Sequence, residues 1–251
     1  MIERQVYVWL LAAWMVVALI VLPYLLSQPA PYGRHARPGW GPTVSARLSW
    51  FLMEALSPLL MIAMFALGNR RANVTAQVFL GLWLVHYLYR AFVYPLLLPA
   101  GARPMPVVVL VSGAFFNLIN GYINGRWLFA LSGPRPLAWL ASLRFVAGCV
   151  LFAVGLCTHI IADRSLRRLR SNGEYAVPRG PIFRLVSCPN YLGEIIEWSG
   201  WALATWSPPG LVFALWTAAN LIPRAIRHDR WYREQFADYS KQRRAIIPFV
   251  L

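Results

Sequence analysis

The chain has 251 residues, 59% hydrophobic and 13% charged, with a mean hydropathy of +0.51. Ordinary soluble domains carry about 25% charged residues, so composition excludes that class and points to a membrane protein. The net charge of +15 sits in loops and helix ends between apolar runs. That placement argues against a nucleic-acid-binding module and for anionic lipid headgroups or a polyanionic ligand.

A helix crosses a bilayer with about 20 apolar residues, and about seven such helices would use the whole length. Val6 to Leu26 is uncharged and predicts the first span; it is too long for a signal peptide, and Glu3 and Arg4 are a poor leader. Ser27 to Thr43, rich in Pro and Gly, reads as a loop carrying Arg34, His35 and Arg37. Ala46 to Leu67 predicts a second span with Glu54 inside it, and Val74 to Leu98 a third with His86, Tyr87, Tyr89 and Arg90.

The fourth span, Met105 to Phe129, follows a loop with Arg103 and is interrupted by Asn117, Asn120, Gly121, Asn124 and Gly125. Such breaks are tolerated at bilayer depth only where protein or a cavity covers them. Pro136 to Ala162 predicts the fifth span, and residues 163–187 a polar, arginine-rich segment. Pro189 to Thr205 and Leu211 to Ile222 flank Ser207-Pro-Pro-Gly210 and read as a hairpin of two spans. Arg224 to Tyr239 reads as a separate charged helix. The expected fold class is all-α, a polytopic membrane protein with seven transmembrane helices in a single domain, residues 1–251. The excess of arginine on one side places the amino terminus outside and the carboxyl terminus inside.

Glu54 lies in an apolar helix, where a carboxylate costs several kcal/mol unless paired or protonated. It is either a functional acid, held neutral by burial and able to donate to a carbonyl, or a glutamate pinned to a loop arginine such as Arg47. Tyr87 needs a partner for its hydroxyl if buried; it is either an interface-belt tyrosine or, beside Glu54, half of a two-donor clamp on a ketone oxygen. Three polar stripes repeat at helical spacing: Asn190, Glu194 and Glu197; Asp163, Arg167 and Arg170; Arg224, His228 and Tyr232. The last two stripes also suit a solvated, salt-bridged surface. The first enters an apolar hairpin and suggests a polar pocket roofed by arginines, which hold phosphates bidentately. No GxGxxG, P-loop or GxSxG motif is present, no His/Cys cluster suggests a metal, and Cys149, Cys157 and Cys188 form no disulfide framework.

Several runs together resemble the steroid 5α-reductase family. The C-terminal half carries Asn190-Tyr-Leu-Gly-Glu-Ile-Ile-Glu-Trp198, Ala202 to Ser207, His228 to Tyr232 and Ile247-Pro-Phe249. The N-terminal half matches through Tyr32-Gly-Arg34, Ala46 to Trp50 with Glu54, His86-Tyr87 and Arg90 to Tyr94. The resemblance implies seven helices holding NADPH and a steroid. The lipid pocket would fall mainly in residues 1–130 and the NADPH site mainly in 131–251.

The resemblance places the catalytic pair on Glu54 and Tyr87. It places cofactor contacts on Asp163, Arg167, Arg170, Tyr175, Asn190, Glu194, Arg224, His228 and Tyr232, with Arg34 and Arg103 near the phosphates, Asn120 in the broken fourth helix and Trp198 near the nicotinamide. Trp50, Met53 and Phe116 would line the substrate pocket. Met53 stands where steroid-reducing members usually have glutamine, and Ser112 where an arginine is common; both departures fall at the steroid end.

The implied reaction is NADPH-dependent reduction of the Δ4 bond of a 3-oxo-Δ4-steroid, by hydride transfer to C5. Rival readings are an S-adenosylmethionine-dependent membrane methyltransferase of the isoprenylcysteine or phospholipid type, a trans-enoyl-CoA reductase, and a non-enzymatic transporter or lipid-binding protein. The expected partners are a steroid-like lipid and membrane lipids, without nucleic acid. A monomer is expected, in the inner membrane of a bacterium or the endoplasmic reticulum of a eukaryote.

Overall fold

The computed structural model describes residues 2–99, 101–169 and 176–251. The expected site residues Arg170 and Tyr175 lie outside the described residues. Among the described residues, eight α-helices follow in chain order: α1 Ile2–Ser27, α2 Ala46–Leu67, α3 Val74–Leu88, α4 Tyr94–Leu96, α5 Val107–Arg126, α6 Leu143–Leu169, α7 Pro189–Thr205 and α8 Pro208–Gln235. A π-helical turn, Tyr89–Val93, joins α3 to α4, and another, Trp127–Leu131, ends α5. Strands β1 (Thr43–Val44) and β2 (Met105–Pro106) pair antiparallel, Thr43 opposite Pro106 and Val44 opposite Met105.

Among the described residues, five helical segments are long and apolar enough to cross a membrane: Ile2–Ser27, Ala46–Leu67, Val74–Leu96, Val107–Leu131 and Leu143–Leu169. At most 33% of each apolar window is buried inside the protein, so most of that surface is left for lipid. The other two expected spans differ. α7 has only 17 residues, and α8 runs on from an apolar half into Arg224, Arg227, Asp229, Arg230, Arg233 and Glu234. The sequence reading divides α8 at Pro223, yet one helix passes through it. Proline removes one backbone donor, a loss that helices tolerate where packing supports them; Pro23 and Pro58 likewise sit inside α1 and α2.

Helix starts follow local chemistry. The Asn73 side chain accepts from the Ala76 amide at 2.8 Å, and the Ser207 hydroxyl from the Gly210 amide at 3.2 Å. Each satisfies a donor that the first turn cannot use internally.

The chain forms two compact units, residues 1–13 with 30–146 and residues 14–29 with 147–251. In the first, α2 packs along α5 through Gly113, Asn117, Gly121 and Gly125, each four residues apart. A Cβ on Gly125 would stand 2.7 Å from the Met64 Cβ, so only glycine lets these backbones approach. Tyr7 of α1, 1% exposed, donates its hydroxyl to the Ile123 carbonyl at 2.7 Å.

In the second unit, α6 and α7 run antiparallel in close contact. Gly148 faces Ala204, and Gly155 faces Gly193 and Glu197. Trp216 of α8 stacks on Trp14 with centroids 4.7 Å apart and donates to its carbonyl at 2.8 Å. Arg227 closes the end of α1 by donating to Leu26 and Ser27 carbonyls.

The tail then returns to the start of α7. Ser187 and Cys188 donate backbone N–H groups to Arg244 and Ala245, and Arg244 donates to Leu185. Behind this clip, the Tyr239 hydroxyl donates to Ser187 at 2.7 Å, and Ser187 donates to Asp229 at 2.6 Å.

Candidate active site

Glu54 is 8% exposed on the apolar helix α2. Arg90 Nε lies 3.4 Å from its Oε1, and Asn117 Nδ2 donates to its Oε2 at 3.4 Å. Asn117 also donates to the Met53 carbonyl at 3.0 Å, which fixes it against α2. The pin suggested by sequence, Arg47, instead donates to the Leu98 carbonyl at 2.6 and 3.1 Å. Arg90 takes the place expected of it.

Arg90 is itself held. Its guanidinium lies 4.3 Å from the centroid of the Trp50 ring and 4.7 Å from that of Tyr94. Trp50 meets Tyr94 edge-on at 5.3 Å and Tyr32 at 6.3 Å. Cation–π contacts of this kind contribute about 0.5–2 kcal/mol each. Tyr87, 2% exposed, stacks on Trp83 at 5.1 Å, on the helix that packs beside α2. Met53 is buried against Gly113, and Phe116 is half-buried, its carbonyl accepting from Asn120. Asn120 is fully buried on α5. Arg34 is half-buried in the Gly33–His35 turn, and Arg103 is exposed before β2.

The second unit gathers another set. Asp163 accepts from Asn190 at 3.1 Å through one oxygen, and its other oxygen lies 3.2 Å from His159 Nε2. The remaining nitrogen of His159 is 3.8 Å from Glu197 and 4.0 Å from Glu194. Three carboxylates thus converge on one imidazole that is 1% exposed, between helices whose glycines bring the backbones together. Sequence reasoning does not single out His159. The Asp163 stripe continued one turn earlier reaches it.

At the start of α7, Tyr191 joins two expected cofactor residues. Arg224 donates to its hydroxyl at 2.7 Å, and His228 lies 2.9 Å from the same oxygen while stacking on the ring. Tyr191 is the other residue missed; it lies one position past Asn190, off the stripe read from sequence. Tyr232 and Trp198 are nearly fully buried among rings, Tyr232 stacked on Tyr239 at 5.2 Å and Trp198 against Phe213 at 4.2 Å. Arg167 is half-buried on the last turns of α6.

The acceptors of Asp163 and Glu194 suit hydroxyl and amide donors, and the cations of Arg167 and Arg224 suit phosphates. This donor set fits a dinucleotide phosphate such as NADPH.

Carboxylates buried in apolar helices beside partnered cations mark a functional site rather than an inert anchor. The model of the family described as 3-oxo-5-alpha-steroid 4-dehydrogenase matches residues 103–251. The chain is 43% identical over 229 residues to steroid 5-alpha-reductase DET2 of Arabidopsis thaliana, covering 88% of this chain and 87% of that one. It is 44% identical over 241 residues to DET2 of Gossypium hirsutum, with 92% and 93% covered. It is 41% identical over 242 residues to 3-oxo-5-alpha-steroid 4-dehydrogenase 1 of Rattus norvegicus, with 93% and 91% covered. The chain belongs to the 3-oxo-5-alpha-steroid 4-dehydrogenase family and is an oxidoreductase.

Proposed function

We propose that this protein reduces the Δ4 double bond of 3-oxo-Δ4-steroids to 5α-dihydro products, using NADPH. The observation that carries the reading is Glu54: a buried acid in an apolar helix, with a donor facing each carboxyl oxygen. NADPH, when bound, supplies the hydride that adds to C5. Asp163, Asn190 and Glu194 would hold its hydroxyl and amide groups, and Arg167, Arg170, Arg224, Arg34 and Arg103 its phosphates; Tyr175, His228 and Tyr232 would complete the site.

Glu54 and Tyr87 donate hydrogen bonds to the C3 oxygen. Negative charge gathers on that oxygen as the enolate forms, so both donors bind the transition state more strongly than the ketone. Trp50, Met53 and Phe116 face the lipid substrate and exclude water, which strengthens those hydrogen bonds. A proton from solvent then completes the product at C4. The chain crosses the membrane seven times, with α7 and α8 as the last pair, the amino terminus outside and the arginine-rich face in the cytoplasm.

The test uses purified protein with NADPH and a panel of Δ4-3-ketosteroids, products being read by mass spectrometry. Glu54→Gln and Tyr87→Phe each lose about 10²–10³ in turnover and retain NADPH binding. Full activity of Glu54→Gln on testosterone or progesterone overturns the mechanism.

A further inference from the structure

Trp50 and Glu54 are four residues apart on α2, so both project from one side of that helix. Arg90 and Tyr94 are also four apart, and the backbone between them is the π-helical turn Tyr89–Val93. The turn is closed by the Tyr94 amide donating to the Tyr89 carbonyl. Such turns insert an extra residue into a helix and re-aim the side chains that follow, and they concentrate at functional sites. Here the two pairs interlock. Arg90 lies over the rings of Trp50 and Tyr94 and reaches Glu54 with Nε.

We propose that Arg90 is the positioning residue of the acid, caged by Trp50 and Tyr94 so that one fixed positive charge stays beside Glu54. The inference rests on the reading of Glu54 as the group that donates to the substrate oxygen. As charge develops on that oxygen, the acid proton is drawn from Glu54 toward it. The Glu54 O–H bond lengthens, a new O–H contact forms on the substrate, and the carboxyl gains the negative charge the oxygen gives up. Arg90 is the cation that faces this charge. No electrons change hands in this step, and the proton remains between the two oxygens.

The geometry suits a partner that tightens during reaction. The Asn117 contact to Glu54, at 3.4 Å, stands at the long end of hydrogen bonding, and Arg90 Nε stands at the same distance as an ion-pair contact. Neither contact uses the acid proton, which stays available to donate to the substrate oxygen, and catalytic hydrogen bonds commonly shorten only once substrate is present. The guanidinium rests against both rings, which meet edge-on, and its side chain is 12% exposed. Lysine would keep the charge but lose the planar face that the two rings hold.

The experiment is a double-mutant cycle in the full-length protein, reading kcat, steroid KM and NADPH affinity. Arg90→Gln lowers kcat by about 10²-fold, with steroid KM and NADPH affinity within about threefold of the parent. Arg90→Lys recovers about tenfold of that loss. In a Glu54→Gln background, Arg90→Gln costs less than about threefold more, because two residues acting as one unit are not additive. An independent further 10²-fold loss in that background overturns the proposal, as does Arg90→Gln with kcat within about threefold of the parent. If Arg90→Gln does not fold, Arg90→Lys decides: loss of NADPH binding in step with kcat makes Arg90 a scaffold residue and overturns the proposal. Fully active Glu54→Gln refutes the reading of the acid, whereas inactive Glu54→Gln with active Arg90→Gln refutes only the role of Arg90.

Discussion

Gly193→Ala tests the contact on which the second unit is built. A Cβ at residue 193 would stand 2.6 Å from the His159 amide nitrogen and 2.7 Å from the Gly155 carbonyl oxygen. Ordinary contact begins at 3.4 Å, so α6 and α7 must separate by about 0.8 Å there, and the obstacles are backbone atoms that no rotamer change can clear. Overpacking of this kind costs about 1–3 kcal/mol. For chains of this length, each kcal/mol lowers the unfolding temperature by about 2–4 °C.

The same displacement would stretch the Asn190–Asp163 hydrogen bond from 3.1 Å to about 3.9 Å, beyond bonding distance. On the proposed NADPH reading, NADPH affinity therefore falls with stability, by about tenfold for the loss of one charge-assisted bond. The assay is thermal unfolding in detergent with and without NADPH. Gly81→Ala is the control, since a Cβ there meets nothing within 4 Å. An unchanged unfolding temperature and undiminished NADPH protection in Gly193→Ala would refute the close approach of α6 and α7.

Tyr7→Phe removes the hydroxyl bonded to the Ile123 carbonyl at 2.7 Å and leaves that carbonyl with the Trp127 amide. Stability should drop by about 1 kcal/mol, seen as an earlier thermal transition with turnover per folded molecule unchanged. Burial pushes the Tyr239 phenol above its ordinary 10.0, against the downward pull of Ser187 and Arg243. The folded protein then keeps a proton that the unfolded chain releases, so stability is full below pH 10 and falls as pH rises through the raised value. Unfolding temperatures measured across that range should decline, and Tyr239→Phe should flatten the decline.

α2 and α7 were legible from sequence to the residue, because each is an apolar run with a clear start: Ser45 caps α2, and Pro189 opens α7. The third and fourth spans were legible only as apolar stretches. An α-turn and a π-turn bury the same composition, so nothing in Tyr89–Val93 or Trp127–Leu131 marks the change. The start of the fifth span was set at Pro136, but a 3-10 turn, Leu137–Ala141, precedes the helix.

The acid at Glu54 was visible because a carboxylate in an apolar run is rare. Its partner was not, since Arg90 reaches it only through tertiary packing, and the nearer Arg47 was the natural guess. The stripes at 190/194/197 and 224/228/232 each fall within one helix, α7 and α8. What periodicity could not supply was the crossing: His159 gathers the acids of two helices, and Tyr191 joins Arg224 to His228.

The return of the tail onto residues 185–188 has a bearing on biogenesis. The Leu185 carbonyl and the Ser187 and Cys188 amides pair with residues 244 and 245, which a ribosome delivers after all of α7 and α8. Until then two amides at the entrance to α7 have only solvent to bond, and Ile246, fully enclosed in the finished protein, has no cluster to enter. Quality control that samples nascent chains would therefore see this half as unfinished until residues 244 and 245 emerge. A stop codon placed after α8 would remove those partners of the Ser187 and Cys188 amides.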